Sequence, residues 1–132
     1  MMRTSRIAPC GMNCGVCYAF LREKNRCPGC RAFAGTEPVS IARCKIRNCE
    51  EIRSGEIRFC FECKSYPCKN LNHLDTRYRT RYHMSQIENL EVIRRKGIRR
   101  FVQSEEARWF CPDCGGTICV HKGCCCNCGR KK

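Results

Sequence analysis

Three observations predict a small, metal-dominated α+β fold, with an N-terminal cysteine-knuckle region, central helices and C-terminal zinc-ribbon-like hairpins. Seventeen of the 132 residues are cysteine. They fall in two blocks, ten between Cys10 and Cys68 and seven between Cys111 and Cys128, with residues 69–110 cysteine-free between them. Apolar material is thin: Leu, Ile, Val and Phe number 24, against a formal net charge of +14. At that balance a chain without crosslinks or metals tends to disorder. The spacing divides the sequence into a cysteine-rich metal-binding region at 8–68, a basic helical segment at 69–109 and a zinc-ribbon-like module at 110–130.

Metal, rather than disulfide, is the expected crosslink. The first ten residues, M-M-R-T-S-R-I-A-P-C, hold no apolar signal region, and no apolar run reaches the length of a membrane span. The expectation is a cytoplasmic protein without a membrane partner, in a reducing compartment where structural disulfides are disfavoured. An odd cysteine count cannot pair fully in any case.

In the N-terminal block, P-C-G-M-N-C-G-V-C sets Cys10, Cys14 and Cys17 in the C-x3-C-x2-C triplet of radical enzymes. Those enzymes carry the triplet on a large barrel of alternating strands and helices, which this chain has no residues to build. Cys14-x2-Cys17 and Cys27-x2-Cys30, nine residues apart, suggest instead a first four-cysteine site. Cys44, Cys49, Cys60, Cys63 and Cys68 follow, any four of which make a second. A cross-brace satisfies the spacing equally: Cys14/Cys17 with Cys44/Cys49, and Cys27/Cys30 with Cys60/Cys63. All-cysteine ligation also suits iron–sulfur clusters, so an iron–sulfur or thiol redox protein using this block is the alternative from another class.

The middle region reads as helical. Ser65 with Pro67 marks one helix start, with Leu71 and Leu74 on a shared face. Ser85 with Glu88 forms a capping-box pattern ahead of Ile87, Leu90 and Ile93. Arg94, Arg95 and Lys96 suit a helix C-terminus, and Gly97 a left-handed cap. Ile98, Phe101, Val102 and Trp109 then make a second stripe, expected to face the metal-bearing parts.

The C-terminal block carries the strongest motif. Cys111-x2-Cys114 and Cys125-x2-Cys128 are two knuckles, each followed by a glycine, Gly115 or Gly129, and separated by ten residues. Facing each other they supply the tetrahedral four-sulfur set that zinc favours. Cys119, His121, Cys124 and Cys126 are left as candidate extra ligands, and adjacency at 124–126 makes the choice of Cys125 an argument from spacing alone.

Several of these stretches, in one order, carry a resemblance. P-C-G-M-N-C-G-V-C-Y, C-P-G-C-R, C-K-I-R-N-C and F-C-F-E-C-K-S-Y-P-C-K-N-L, from about Cys10 to Leu71, resemble the cysteine-rich prokaryotic family catalogued as domain of unknown function 3795. Y-H-M-S-Q-I-E-N-L and W-F-C-P-D-C-G-G-T-I-C-V-H resemble the tail of its longer members. The resemblance implies cysteine-bound metal and a compact prokaryotic protein, and supplies no substrate.

Acid–base chemistry is poorly provided for. There are three histidines, the two aspartates are Asp75 and Asp113, and no paired carboxylates, nucleophile elbow or glycine-rich phosphate loop occurs. No small-molecule substrate is evident, and the expectation leans away from an enzyme. A four-cysteine site holding a divalent ion carries a net −2, so three such sites would bring the formal +14 to +8, still basic. In D-T-R-Y-R-T-R-Y-H, Arg77, Arg79 and Arg81 interleave with Tyr78 and Tyr82, a candidate nucleic-acid contact in which arginine meets phosphate and tyrosine stacks on bases. The plainer reading packs the tyrosines inward and leaves the arginines to solvent. The functional expectation is a non-catalytic binding module with two to three zinc ions, contacting RNA or an acidic protein.

Overall fold

The loop at residues 8–13 is the hub on which the rest is assembled. A computed structural model describes residues 2–32, 35 and 38–132. Ile7 and Asn13 bridge as antiparallel partners, and inside them Ala8 N–H donates to Met12 O (2.8 Å) and Gly11 N–H to Ala8 O (3.0 Å). Asn13 is fully buried: its Oδ1 accepts from Gly15 N–H (2.9 Å) and caps the short 3₁₀ turn Cys14–Val16.

Short helices α1 (Tyr18–Leu21), α2 (Val39–Ala42) and α3 (Glu50–Arg53) punctuate the cysteine-rich segment, α1 and α3 each starting directly after a cysteine. Three longer helices follow without a break in the pattern: α4 (Lys69–Tyr82), α5 (Gln86–Lys96) and α6 (Ile98–Arg108), with α5 packed against both neighbours. The chain ends in an antiparallel hairpin, β1 (Ile118–Cys119) with β2 (Cys124–Cys125), registered Ile118 to Cys125 and Cys119 to Cys124. This is a small α+β arrangement. One buried cluster draws from all three segments, including Ile7, Val16, Leu71, Leu90, Phe101 and Ile118.

Helix boundaries follow local chemistry. Ser85 caps α5 by accepting from Glu88 N–H (3.1 Å), as its sequence pattern predicts. A second acceptor for the first turn comes from elsewhere: buried Asp75 accepts from the Ser85 hydroxyl (2.6 Å) and from Ile87 N–H (3.0 Å), and pairs with Arg79 (2.8 Å). Ser65 does not start α4. The start lies at Lys69 with Cys68 extended at the N-cap, because Tyr66 N–H closes a turn on Cys63 O (3.1 Å) and Pro67 disfavours helix in the residue before it. Gly97 has φ +90° and ψ 158°, outside the left-handed helical well predicted for it. It forms one corner that ends α5 and begins α6, a conformation open essentially to glycine.

Gly11 makes the closest approach in the hub. A Cβ there would lie 2.7 Å from Gln86 O and 2.9 Å from Leu90 Cγ, at φ +89°. Gly11→Ala is therefore expected to lose roughly 2–5 kcal/mol of stability, the sum of left-handed strain and overpacking. Equilibrium urea unfolding measures it, and a change below about 0.5 kcal/mol would show that loop and α5 part freely.

Candidate metal centre

Cys111, Cys114, Cys125 and Cys128 bring four Sγ atoms within 4.8 Å of one another. Two opposite edges are Cys111–Cys128 at 3.6 Å and Cys114–Cys125 at 3.5 Å. A tetrahedron of ~2.3 Å zinc–sulfur bonds has edges of about 3.8 Å, so the set already has the size of a four-thiolate zinc site. Among the described residues it is the one group of His, Cys, Asp or Glu ligand atoms that closes this tightly.

The two knuckles are built alike. Gly115 N–H donates to Cys111 O (2.9 Å) and Gly129 N–H to Cys125 O (3.0 Å), with both glycines at positive φ, +77° and +80°. Backbone donors then point at sulfur: Gly116 N–H to Cys114 Sγ (3.4 Å) and Asn127 N–H to Cys125 Sγ (3.3 Å). Cys114 is held below the usual thiol range, at about 6, first by a hydrogen bond from the Asn127 side chain and then by Gly116 N–H. Such donors favour the thiolate that metal requires. Gly116 also has a steric role, since a Cβ there would sit 3.2 Å from both Cys114 Sγ and Cys125 Sγ. Neither Asn127 nor Gly116 stands out in the sequence; the only signal is the Gly115-Gly116 pair itself.

Cys111 and Cys125 are buried, whereas Cys114 and Cys128 are exposed, so the centre sits at the surface with one edge against the core. That edge is stitched to the helices. Ile118 N–H donates to Trp109 O (2.8 Å), Val120 N–H to Val16 O (2.9 Å), and Lys132 Nζ to Arg108 O (2.7 Å). Arg130 and Asp113 pair at 2.7 Å across the exposed side.

The spare ligand candidates go elsewhere. His121 Nδ1 accepts from Tyr18 N–H (3.1 Å), which leaves the proton on Nε2 to donate to Tyr78 Oη (2.8 Å). Both ring nitrogens are occupied, and burial lowers the histidine's proton affinity in the same direction. His121 is a docking pin between hairpin and helix, not a ligand. Cys119 and Cys124 oppose each other across β1 and β2. Cys126 is pushed up to about 11, first by burial and then by its contact with Cys119, and it is not one of the four grouped sulfurs.

The candidate nucleic-acid residues are divided by α4. Tyr78 and Tyr82 lie edge-on against His121, with ring centroids 5.5 and 4.8 Å away, and are half-buried. One side of each ring is thus taken up by the hairpin. Arg79 is spent on Asp75. Arg77 and Arg81 remain exposed, in line with Lys69 and His73 at four-residue intervals.

The ten N-terminal cysteines form two neighbourhoods. Cys14 is lowered, first by a hydrogen bond from Cys30, while Cys17 is raised to about 11 by burial, with the charges of Cys14 and Cys27 adding to it. These contacts set Cys14 against Cys30, and Cys17 near Cys14 and Cys27. Cys60 is raised to about 12, first by burial and then by Cys68, Cys49, Cys63 and Cys44. Cys10 lies between the two groups: burial pushes it up, and Cys60, Cys44 and Cys14 add to the shift. Arg31, unremarkable in the sequence, also stands there. Its Nε donates to Ile7 O and a terminal nitrogen to Arg58 O (both 2.7 Å), and its charge reaches Cys10, Cys14 and Cys60.

With this geometry in view, the comparison with known families is decisive on one point: a family model matches residues 6–73, just over half the chain. The chain belongs to the family described as "Protein of unknown function (DUF3795)". The family segment thus covers all ten N-terminal cysteines and the first turn of α4, and ends before the four-sulfur set. No curated protein and no solved structure matches the chain. Among the described residues, no helix is long and apolar enough to cross a membrane.

Proposed function

We infer that the chain is a non-catalytic, multi-zinc binding module whose basic helical surface engages RNA or an acidic protein. The observation that carries this reading is the closure of Cys111, Cys114, Cys125 and Cys128 to zinc-sized separations. Four sulfurs fill every position of a tetrahedral ion and leave none for the water that catalytic zinc activates. Thiolates on borderline-soft zinc, backbone N–H groups on sulfur and a docked edge describe a structural centre, one that holds β1, β2 and Trp109 against α6. The cysteines of the family segment extend the same chemistry to a total of two or three ions.

Support for the partner comes from the ridge of Lys69, His73, Arg77 and Arg81 on α4. With the tyrosines turned inward, contact is through charge, not base stacking, and so is steeply salt-dependent and weakly sequence-dependent. Metal-loaded full chain is expected to bind single-stranded RNA with an affinity that falls as salt rises. Arg77→Gln with Arg81→Gln should reduce the slope of log K against log salt by about 1.4, two phosphates at ~0.7 each. An unchanged slope would remove this ridge from the contact. Failure to bind either RNA or an acidic protein would remove the partner from the reading.

A further inference from the structure

We propose that Cys49, Cys60, Cys63 and Cys68 form a second thiolate site that takes a single soft divalent metal ion in the cavity they line. The inference rests on the reading of this chain as a thiolate–metal protein and deepens it, because it selects four of five cysteines that the sequence leaves equivalent.

The four cysteines are among the residues that line one partly open cavity of about 40 Å³. That exceeds the ~10–15 Å³ needed to admit a water-sized sphere. Ile46, Ile52, Ile57 and Tyr66 complete most of its wall, with Lys45 and Asn70 at its polar side. A largely apolar lining suits an ion bound by thiolates, since it limits competition from water, and Lys45 offsets part of the net −2 that four thiolates leave on a divalent ion.

Each ligand is set by local structure. Cys60 and Cys63 are the ends of one knuckle, the 3₁₀ turn Cys60–Glu62, with Cys63 N–H donating to Cys60 O (3.1 Å). Glu62 holds that turn by accepting from Arg58 N–H (2.7 Å) and Phe59 N–H (2.8 Å). Cys60 N–H is fixed to Pro9 O (2.9 Å), which ties the knuckle to the hub loop. Cys49 and Cys68 are the N-cap residues of α3 and α4. Cys44, by contrast, does not line this cavity; it opens on a separate one beside Ile41 and Leu74. Cys49 is the outermost ligand, its thiol donating to Glu51 Oε2 at 2.8 Å. Loading breaks that bond: the thiol proton leaves to solvent, and the thiolate turns inward to the ion while the Glu51 carboxylate stays in water.

The test uses the full chain loaded with cadmium-113 and read by proton–cadmium correlation. Expected are one cadmium resonance correlated with the β-protons of Cys49, Cys60, Cys63 and Cys68 and a separate one correlated with those of Cys111, Cys114, Cys125 and Cys128, whether or not a third appears. A C-terminal resonance with no correlation from the four cavity cysteines overturns this site and leaves the C-terminal reading standing. Absence of the C-terminal resonance overturns that reading instead. Correlation from Cys44 in place of Cys49 overturns the ligand assignment. On zinc-loaded protein in native mass spectrometry, Cys44→Ala is expected to keep the wild-type ion count and Cys63→Ala to lose one ion; a full count in Cys63→Ala overturns the site. A brown preparation whose iron and sulfide are lost in Cys63→Ala would assign the cavity an iron–sulfur cluster and overturn the single ion.

Discussion

Chelating the metal from the full chain should shift the emission of Trp109, the only tryptophan, to longer wavelength and open residues 110–130 to protease. Trp109 is 3% exposed, and its surroundings come from both sides of the metal centre. Its carbonyl accepts from Ile118 N–H (2.8 Å), Lys132 Nζ lies 4.6 Å from the ring centroid, and the first ligand, Cys111, is two residues on. The hairpin pairs only two residues on each strand. A two-stranded hairpin of that length has no independent stability, so the ion is what holds it. Structural zinc contributes about 10–16 kcal/mol in small metal-folded domains, comparable with the ~5–15 kcal/mol total stability of a globular domain. Cys111→Ser with Cys128→Ser should reproduce the shift without chelator. Unchanged emission and unchanged protease resistance after the ion is removed would mean that the helices alone hold the hairpin.

Glu105→Ala should be the most damaging change outside the cysteines, at about 3–5 kcal/mol, the cost of stripping one partner from a buried ionic and hydrogen-bonded group. Glu105 is 2% exposed. Its Oε1 accepts from Asn13 Nδ2 and from Trp109 Nε1, each at 3.2 Å, and its Oε2 lies 3.6 Å from an Arg108 nitrogen. One carboxylate therefore joins the hub loop, α6 and the approach to the metal centre. Its removal takes the carboxylate from two buried donors, at about 1–3 kcal/mol each, leaving Asn13 Nδ2 only the weak contact to Met2 Sδ (3.4 Å). Glu105→Gln keeps the shape and one acceptor and should cost less. Urea unfolding of both variants at one metal concentration checks the order, and an alanine variant as stable as wild type would show that Asn13 and Trp109 find other partners.

Features that depend on a few neighbouring residues were the ones legible from sequence. Ser85 and Glu88 locate the start of α5, because an N-cap is a contact across three residues. The two C-x-x-C-G knuckles locate the C-terminal centre, because each knuckle is a complete turn. The structure adds the choice of Cys125 over Cys124 and Cys126, which depends on which strand face meets Cys111 and Cys114. Features set by distant chain were hidden. Asp75 gives the first turn of α5 a second acceptor from ten residues away. Tyr78 and Tyr82 look like stacking residues until the hairpin brings His121 against both rings. For the N-terminal cysteines, spacing alone permits both a consecutive and a cross-braced pairing.

The central claim, that Cys111, Cys114, Cys125 and Cys128 hold a structural metal ion, is tested most directly by metal analysis of anaerobically purified full chain, with visible absorption recorded alongside. The account predicts a colourless protein that contains zinc and loses one zinc per chain in Cys111→Ser with Cys128→Ser. A metal content that this double variant leaves unchanged, or a wild-type protein that folds without any metal, would contradict it.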